Sequence, residues 1–365
     1  MKRYFLPALL ICGIALSVVF SCSKEKDLSE KDVQERILDA YLAVNYPNAK
    51  KLESGLTILE IQQGTTAPPE DFQGAYIHYS TYTLEGVCQS TTDSIKAKQL
   101  GTFSQSNYYG PILFILNKYY TTDGMIELLK QIGKGGHVKA IIPPWLTGQY
   151  SRSSSGGSNV STQQSKVNII YDIYMGDVVS DIITYQVDSL ESYSAKYYPP
   201  KIDSTSYGFY LKNFTHPSGI PDADTIEADT YVNIWYIGRL LDGYIFDTNI
   251  KDTAKKYKIY DSGSDYSALN VQIQATAELM NESAKSGDEE SSSSSTALIL
   301  GFCKALKKMT IGDHAVTLFI SGLGYGSEGS FKDGAGVPWY SPLRFDIWVT
   351  SKNDTSFPPA NFDGE

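Results

Sequence analysis

The sequence has few of the residues on which most catalytic and metal sites depend. It contains four histidines and four cysteines in 365 residues. None of the spacings G-x-S-x-G, H-E-x-x-H and C-x-x-C occurs in it. These absences exclude the common serine-hydrolase, zinc-protease and dithiol classes, so we expect neither a metal nor a cofactor.

Positive charge is scarce as well. The chain has 31 Lys and Arg against 41 Asp and Glu, a net charge of −10, and it contains no basic run. Nucleic-acid-binding domains present a basic patch or stripe. We therefore expect no nucleic acid among the partners of this protein.

A single long apolar run stands at the N-terminus, from Tyr4 to Phe20. It follows two basic residues and is shorter than the ~20 residues that a membrane-spanning helix needs, so residues 1–21 are predicted to be a signal peptide. The run ends V-F-S-C, which resembles the lipobox of bacterial lipoproteins except for the bulky Phe20. The resemblance implies a lipid anchor on Cys22, a tether over 22–30, and an outer-membrane lipoprotein that faces the periplasm or the cell surface.

The remaining composition is that of an ordinary globular protein, with 42% hydrophobic and 20% charged residues. The length is sufficient for two or three domains. Apart from the predicted signal and lipid anchor, the only cysteines are Cys88 and Cys303, both among apolar neighbours. We expect two buried single thiols and no disulfide framework.

The chain contains an internal repeat, related first by an offset of 157 residues and then by one of 177. The matched positions include Tyr79 with Tyr236, Leu84-Glu85-Gly86 with Leu241-Asp242-Gly243, Gly135 with Gly312, and His137 with His314. The additional residues of the second copy are placed in a polar, low-complexity stretch near 281–295, predicted to be a disordered insertion. We therefore define a first copy (31–178), a second copy (179–352) and a tail (353–365).

Hydrophobic periodicity predicts the main elements of both copies. A helix is predicted from Asp32 to Tyr46 with Val33, Ile37, Tyr41 and Val44 inward, and another near 183–197 with Ile183, Val187, Leu190 and Tyr197 inward. Strands are predicted at Leu56–Ile61, Ala75–Tyr82, Ala315–Ile320 and Leu343–Val349, and a short helix at Leu300–Met309. The Ser- and Gly-rich segment 151–165 is predicted to be an exposed loop.

The segment from Tyr231 to Thr248 and the last third of the chain carry a recognisable motif. It consists of a strand ending at Tyr236, then Gly238, Asp242-Gly243 and Phe246-Asp247, followed by the short helix and a Gly-rich loop. This order resembles the FKBP-type peptidyl-prolyl isomerases. The resemblance implies an α+β fold of two such domains, each an antiparallel twisted sheet wrapped around a short helix.

The resemblance also implies a site in the second copy for proline-containing polypeptides. Its catalytic residues would be Tyr236, Phe246, Asp247, Tyr325 and Phe345, and its substrate-binding residues Leu298, Ile299, Phe302 and Val337. Most of these would be apolar walls, with Phe302 as the floor, where the family often has tryptophan. Tyr325 would donate to the substrate carbonyl, and Asp247 would orient the pocket.

The first copy departs from this pattern. Gln89, Ser90 and Gly148 stand where the second copy has Phe246, Asp247 and Tyr325, and Met125 takes the floor position. We expect isomerase activity, directed at exported or outer-membrane proteins, to reside in the second copy. The alternative is a lipoprotein that binds polypeptides as a holdase or scaffold without catalysis.

Overall fold

The computed structural model describes residues 28–152, 158–161, 165–202, 204–215, 226–274, 298–332 and 335–356. The predicted signal peptide, Cys22 and the predicted insertion near 281–295 lie outside these residues. Within the described ranges, no helix has both the length and the apolar character that a membrane crossing requires.

The described helices alternate with short strands along both copies. The helices are α1 (Glu30–Asn45), α2 (Ser94–Gln99), α3 (Asp123–Leu129), α4 (Ile182–Tyr197), α5 (Lys251–Lys256) and α6 (Leu300–Leu306). The strands before α4 are β1 (Lys50–Lys51), β2 (Thr57–Gln62), β3 (Gly74–Tyr82), β4 (Cys88–Thr91), β5 (Ile112–Ile115), β6 (His137–Ile142), β7 (Gln149–Arg152), β8 (Ser158–Ser161) and β9 (Ile169–Val179). The strands after α4 are β10 (Ser204–Ser206), β11 (Phe209–Thr215), β12 (Tyr231–Leu240), β13 (Ile245–Thr248), β14 (Leu269–Gln272), β15 (His314–Phe319), β16 (Ser330–Lys332), β17 (Ala335–Val337) and β18 (Leu343–Ser351).

Two antiparallel sheets with the same strand order form the framework. The first runs β1-β2-β6-β9-β3-β4 with β5 beside β3, and the second runs β10-β11-β15-β18-β12-β13 with β14 beside β12. Every neighbouring pair is antiparallel. The α+β prediction is confirmed, and the matching topology accounts for the repeat in the sequence.

The repeat extends to individual side chains. In the first copy the ring of Tyr109 stacks on Phe103 with centroids 5.2 Å apart, and in the second Tyr266 stacks on Tyr260 at 5.1 Å. In both copies the tyrosine hydroxyl accepts the backbone N–H of the residue that follows the other ring. The offset of 157 residues therefore relates positions with the same contacts.

The second sheet is covered on both faces. Alternate residues of a strand point to opposite faces, so Phe345 and Ile347 of β18 pack with α6 while Trp348 packs with the segment around α5. Helix α4 covers the same face as α5 and packs through Leu190 against Val316 of β15. The candidate site lies on the α6 side.

Glycine permits the short helices to approach their sheets closely. A Cβ atom on Gly301 of α6 would lie 2.5 Å from the ring of Phe319, and one on Gly124 of α3 would lie 2.5 Å from the side chain of Ile142. No side chain fits at these separations. Both copies keep glycine at this repeat position because the helix backbone rests on the sheet.

Helices α1 and α4 form as predicted and Leu190 is buried as predicted, but several other residues predicted to face inward are exposed. The predicted inward residues that are exposed are Val33, Ile37, Val44, Ile183 and Tyr197. Leu38 is the fully buried residue of α1, and α4 buries Gln186, Leu190 and Ser194. The exposed residues face away from the sheets, because each helix covers only part of its sheet. Gln186 can be buried although it is polar, because its side chain has hydrogen-bond partners.

Two further predictions about the first copy are corrected. Segment 151–165 was predicted to be a loop, but its described residues include parts of β7 and β8, which pair as a hairpin. This hairpin corresponds to β16 and β17 of the second copy. Cys303 is buried, whereas Cys88 lies on the edge strand β4 and is half-buried.

Candidate functional site

Four aromatic residues of the predicted site form a continuous cluster on the α6 side of the second sheet. Phe345 lies at its centre, with ring centroids 5.3 Å from Phe302, 5.6 Å from Phe246 and 6.1 Å from Tyr236. Two of these contacts are edge-to-face, the arrangement that aromatic pairs favour. The structure therefore brings together side chains from β12, β13, β18 and α6.

Gly238 makes this packing possible. It pairs with Phe345 across the sheet, and a Cβ atom at this position would lie 2.7 Å from the ring of Phe246 and 2.9 Å from that of Phe345. Both rings thus lie over the glycine backbone of β12. Because alternate residues of a strand share a face, the Tyr-x-Gly spacing places the Tyr236 ring and the position without a side chain, Gly238, on the same face of β12.

Asp247 lies at the exposed rim of the cluster. The hydroxyl of Tyr236 donates to its carboxylate over 2.9 Å. The backbone N–H of Tyr236 donates to the side-chain amide oxygen of Asn249, and that amide donates to the carbonyl of Ile234. Asp247 and Asn249 together fix the position of the Tyr236 ring.

Tyr325 closes the cluster from the loop that follows β15. Its ring lies edge-on to Phe246 with centroids 6.1 Å apart. Burial, together with the nearby charge of Asp247, raises the pKa of Tyr325 to about 12. The phenol therefore keeps its proton at neutral pH and remains a hydrogen-bond donor.

Buried Gln186 of α4 holds the loop that carries Tyr325. Its amide oxygen accepts the N–H of Ser321 over 2.7 Å, and its amide nitrogen donates to the Ser321 hydroxyl and to the carbonyl of Tyr340. These bonds tie both ends of the loop to one helix. No pattern in the sequence indicates this role, because Gln186 lies 135 residues from Ser321.

The predicted substrate-binding residues belong to the same cluster. Phe302 and Val337 are buried in it, and Leu298 and Ile299 pack against it at the start of α6. All nine predicted residues are therefore close together, eight in or against the apolar cluster and Asp247 at its rim.

Sequence reasoning missed an aromatic contribution from the first copy. Tyr108, in the loop between α2 and β5, packs against the cluster. Its ring lies 5.4 Å from that of Tyr244, whose hydroxyl donates to the carbonyl of Ser106. Hydrophobic periodicity describes contacts within a helix or strand, so it cannot predict a contact between loops of the two copies.

The corresponding region of the first copy keeps part of the arrangement. Tyr79 packs edge-on against Phe114 at 6.1 Å, and Met125 is buried at the floor position. Burial raises the pKa of Tyr79, and a hydrogen bond with Ser90 opposes part of that rise. A neutral hydroxyl thus stands where the second copy has the carboxylate of Asp247.

Comparison with known proteins finds similarity only among solved structures. No protein-family model matches the chain, and no curated protein matches it. The three FKBP domains of wheat FKBP73 align at 17% identity and a TM-score of 0.27, over 83% of this chain and 98% of the wheat chain.

Two bacterial structures are also similar. FkpA from Escherichia coli aligns at 20% identity and a TM-score of 0.28, over 41% of this chain and 61% of its own. A peptidyl-prolyl cis-trans isomerase from Pseudomonas syringae aligns at 19% identity and a TM-score of 0.28, over 46% and 93%. These values are too low to assign an activity.

Proposed function

We propose that the second copy is a peptidyl-prolyl cis-trans isomerase that acts on proline-containing segments of exported or outer-membrane proteins. The observation that carries the proposal is the aromatic cluster around Phe345, which has the Tyr325 hydroxyl on one side and the Asp247 carboxylate at its rim. The motif from Tyr231 to Thr248 supports the same conclusion from the sequence.

The reaction requires no nucleophile, metal or cofactor. An amide owes its planarity to resonance, which separates charge toward the oxygen. Apolar walls such as Phe246 and Phe345 stabilise that separated charge poorly, whereas the twisted amide carries less of it. A site that binds the twisted form more tightly than the planar form accelerates rotation in both directions.

Tyr325 and Asp247 have separate roles in this proposal. Tyr325 retains its proton and donates to the carbonyl of the substrate peptide. Asp247 is a positioning residue, since it accepts from Tyr236 and holds that ring against Phe345. The aromatic walls then exclude water from the rotating bond.

The alternative, polypeptide binding without catalysis, is favoured for the first copy by one observation. Its edge strand presents Gln89 and Ser90 where the second copy has a ring and a carboxylate, and Gly148 supplies no hydroxyl. The first copy therefore offers polar groups for binding but lacks the donor and the wall. We propose that it binds polypeptide and does not isomerise it.

Replacing Tyr325 by phenylalanine tests the donor role. The ring against Phe246 remains while the hydroxyl is lost, so we expect kcat/KM to fall several-fold, equivalent to about 1 kcal/mol of transition-state stabilisation. The measurement is a protease-coupled isomerase assay on residues 22–365. Tyr231→Phe is the matched control, because Tyr231 is exposed on β12 outside the cluster. Unchanged activity of Tyr325→Phe would contradict the assignment.

We also propose that the protein is anchored in the outer membrane through lipidated Cys22. Three acyl chains hold a protein stably, whereas one alone binds only marginally. Cys22→Ser is expected to move the protein from the membrane pellet to the soluble fraction in high salt. Continued pelleting of this variant would contradict the anchor.

A further inference from the structure

A cavity of about 430 Å³ lies where the two copies meet. One wall comes from β4 and the loop with Tyr108 and Tyr109, and the other from Gly336, Pro338 and Trp339 of the second copy. Its volume is within the range of roughly 300–1,000 Å³ typical of ligand pockets. Residues of both copies line the cavity.

A segment of the second copy is already seated at this cavity. The indole N–H of Trp339 donates to the carbonyl of Leu113 on β5. The Trp339 ring lies edge-on to Phe114 with centroids 5.8 Å apart, and Phe114 in turn contacts Tyr79. Trp339 therefore packs against Phe114 of this ring pair, and Pro338 before it lines the same cavity.

The chemistry of the lining indicates a neutral ligand. No charged side chain is among the described residues that line the cavity, which argues against a phosphate or a metal ion. The lining combines aromatic rings with the hydroxyls and amides of residues such as Ser90, Thr91 and Asn107. Rings suit proline and aromatic side chains, and the polar groups suit the amides of a peptide backbone.

The position of β4 also favours a polypeptide. It is the last strand of its sheet, and in the described part of the chain no strand pairs with its outer edge. An open strand edge can add an extended segment through main-chain hydrogen bonds. Gln89 and Ser90 on this strand are exposed beside the cavity.

We propose that this junction cavity is a second polypeptide-binding site, which takes a segment in which an aromatic residue follows proline. Pro338 and Trp339 occupy part of it in the present conformation and compete with such a segment. The proposal rests on the polypeptide binding proposed for the first copy and is independent of isomerisation in the second copy.

The seated segment lowers the apparent affinity of the cavity for a free peptide. A tethered segment acts at an effective concentration on the order of millimolar, so a free peptide must displace it and binds with reduced apparent affinity.

The test uses residues 22–365 and a fluorescently labelled peptide with the sequence Gly-Val-Pro-Trp-Tyr, that of residues 336–340. Binding is measured by anisotropy. We expect Trp339→Ala to bind the peptide at least about tenfold more tightly than the native chain. Trp339→Phe keeps a ring against Phe114 and is expected to bind nearly as weakly as the native chain. Equal affinity of Trp339→Ala and the native chain would overturn the proposal.

Two controls locate and define the site. Adding Ser90→Arg to Trp339→Ala places a large charged side chain at the cavity rim. It should abolish the increase in peptide affinity caused by Trp339→Ala. An increase that came from binding at the aromatic cluster of the second copy would not be affected by Ser90→Arg. A peptide with Trp and Pro exchanged should bind at least about tenfold more weakly to Trp339→Ala. If the increase in affinity persists with Ser90→Arg, the location of the site is wrong. If the two peptides bind equally well, the ligand class is wrong.

Folding of the variants is checked by thermal unfolding. If Trp339→Ala does not fold, Trp339→Leu removes the ring and the indole donor while it keeps an apolar side chain. It is expected to change affinity in the same direction. Native-like affinity of a folded Trp339→Leu chain would also overturn the proposal.

Discussion

Asp346→Asn is expected to lower the stability of the second copy by about 3–5 kcal/mol, the usual cost of breaking a buried ion pair by removing one partner. The Asp346 carboxylate is almost completely buried, 2.8 Å from Arg344 Nη2 and 3.5 Å from Arg239 Nε. Arg344 also donates to the hydroxyl of Tyr193 on α4. Asparagine retains the shape of the side chain but removes the negative charge beside the largely buried guanidinium groups of Arg344 and Arg239.

The measurement is the thermal midpoint of the transition that belongs to the second copy. At roughly 2–4 °C per kcal/mol for a unit of this size, we expect a decrease of about 10 °C. Asp172→Asn is the matched control, since Asp172 has the corresponding position on β9 but is more exposed and contacts His137 at 2.7 Å. The prediction would be contradicted if Asp346→Asn lowered the thermal midpoint by no more than Asp172→Asn does.

Phe246→Ala is expected to cause a larger loss of activity than Tyr325→Phe. It removes a ring that contacts both Phe345 and Tyr325 and opens the site to water. We expect kcat/KM to fall tenfold or more, equivalent to at least ~1.4 kcal/mol. The assay on residues 22–365 is performed well below the thermal midpoint, because burying this ring also stabilises the fold.

Loss of folding must be separated from loss of catalysis. Phe→Ala in a core costs about 3–5 kcal/mol, so far-UV circular dichroism and the thermal midpoint accompany each rate. Phe246→Leu retains most of the apolar volume and is expected to fold while losing the aromatic wall. Tyr231→Ala, an exposed aromatic residue of β12, controls for the general effect of truncation. Full activity of a folded Phe246→Leu chain would exclude Phe246 as a catalytic wall.

The fold was predictable where local patterns are strong. The strand predicted at Ala75–Tyr82 is Gly74–Tyr82 in the structure, and the helix predicted at Asp32–Tyr46 is Glu30–Asn45. The offset of 157 residues anticipated the repeated strand order. Strand alternation and helix capping are encoded within a few residues, so they can be read without knowledge of the rest of the chain.

The composition of the aromatic cluster was also accessible from the sequence. The motif residues Tyr236, Gly238 and Phe246 lie on two paired strands. Strand alternation places Tyr236 and Gly238 on one face, and an irregularity in the pairing at Phe246 lets its ring join the same cluster. The resemblance supplied the more distant Tyr325 and Phe345, and the structure places them in contact with the same rings.

Only the tertiary structure decided which side chains meet across long separations. Gln186 beneath the Tyr325 loop, the Arg239–Asp346–Arg344 cluster, and Tyr108 and Trp339 at the junction of the copies were not indicated by any local pattern. Periodicity also named the wrong inward face for α1, where Leu38 is buried and Val44 is exposed. The sequence by itself determined the main helices and strands and the repeat, because those depend on neighbours along the chain. The partners of buried polar groups and the contacts between copies depend on how complete sheets and helices pack, which no short stretch of sequence specifies.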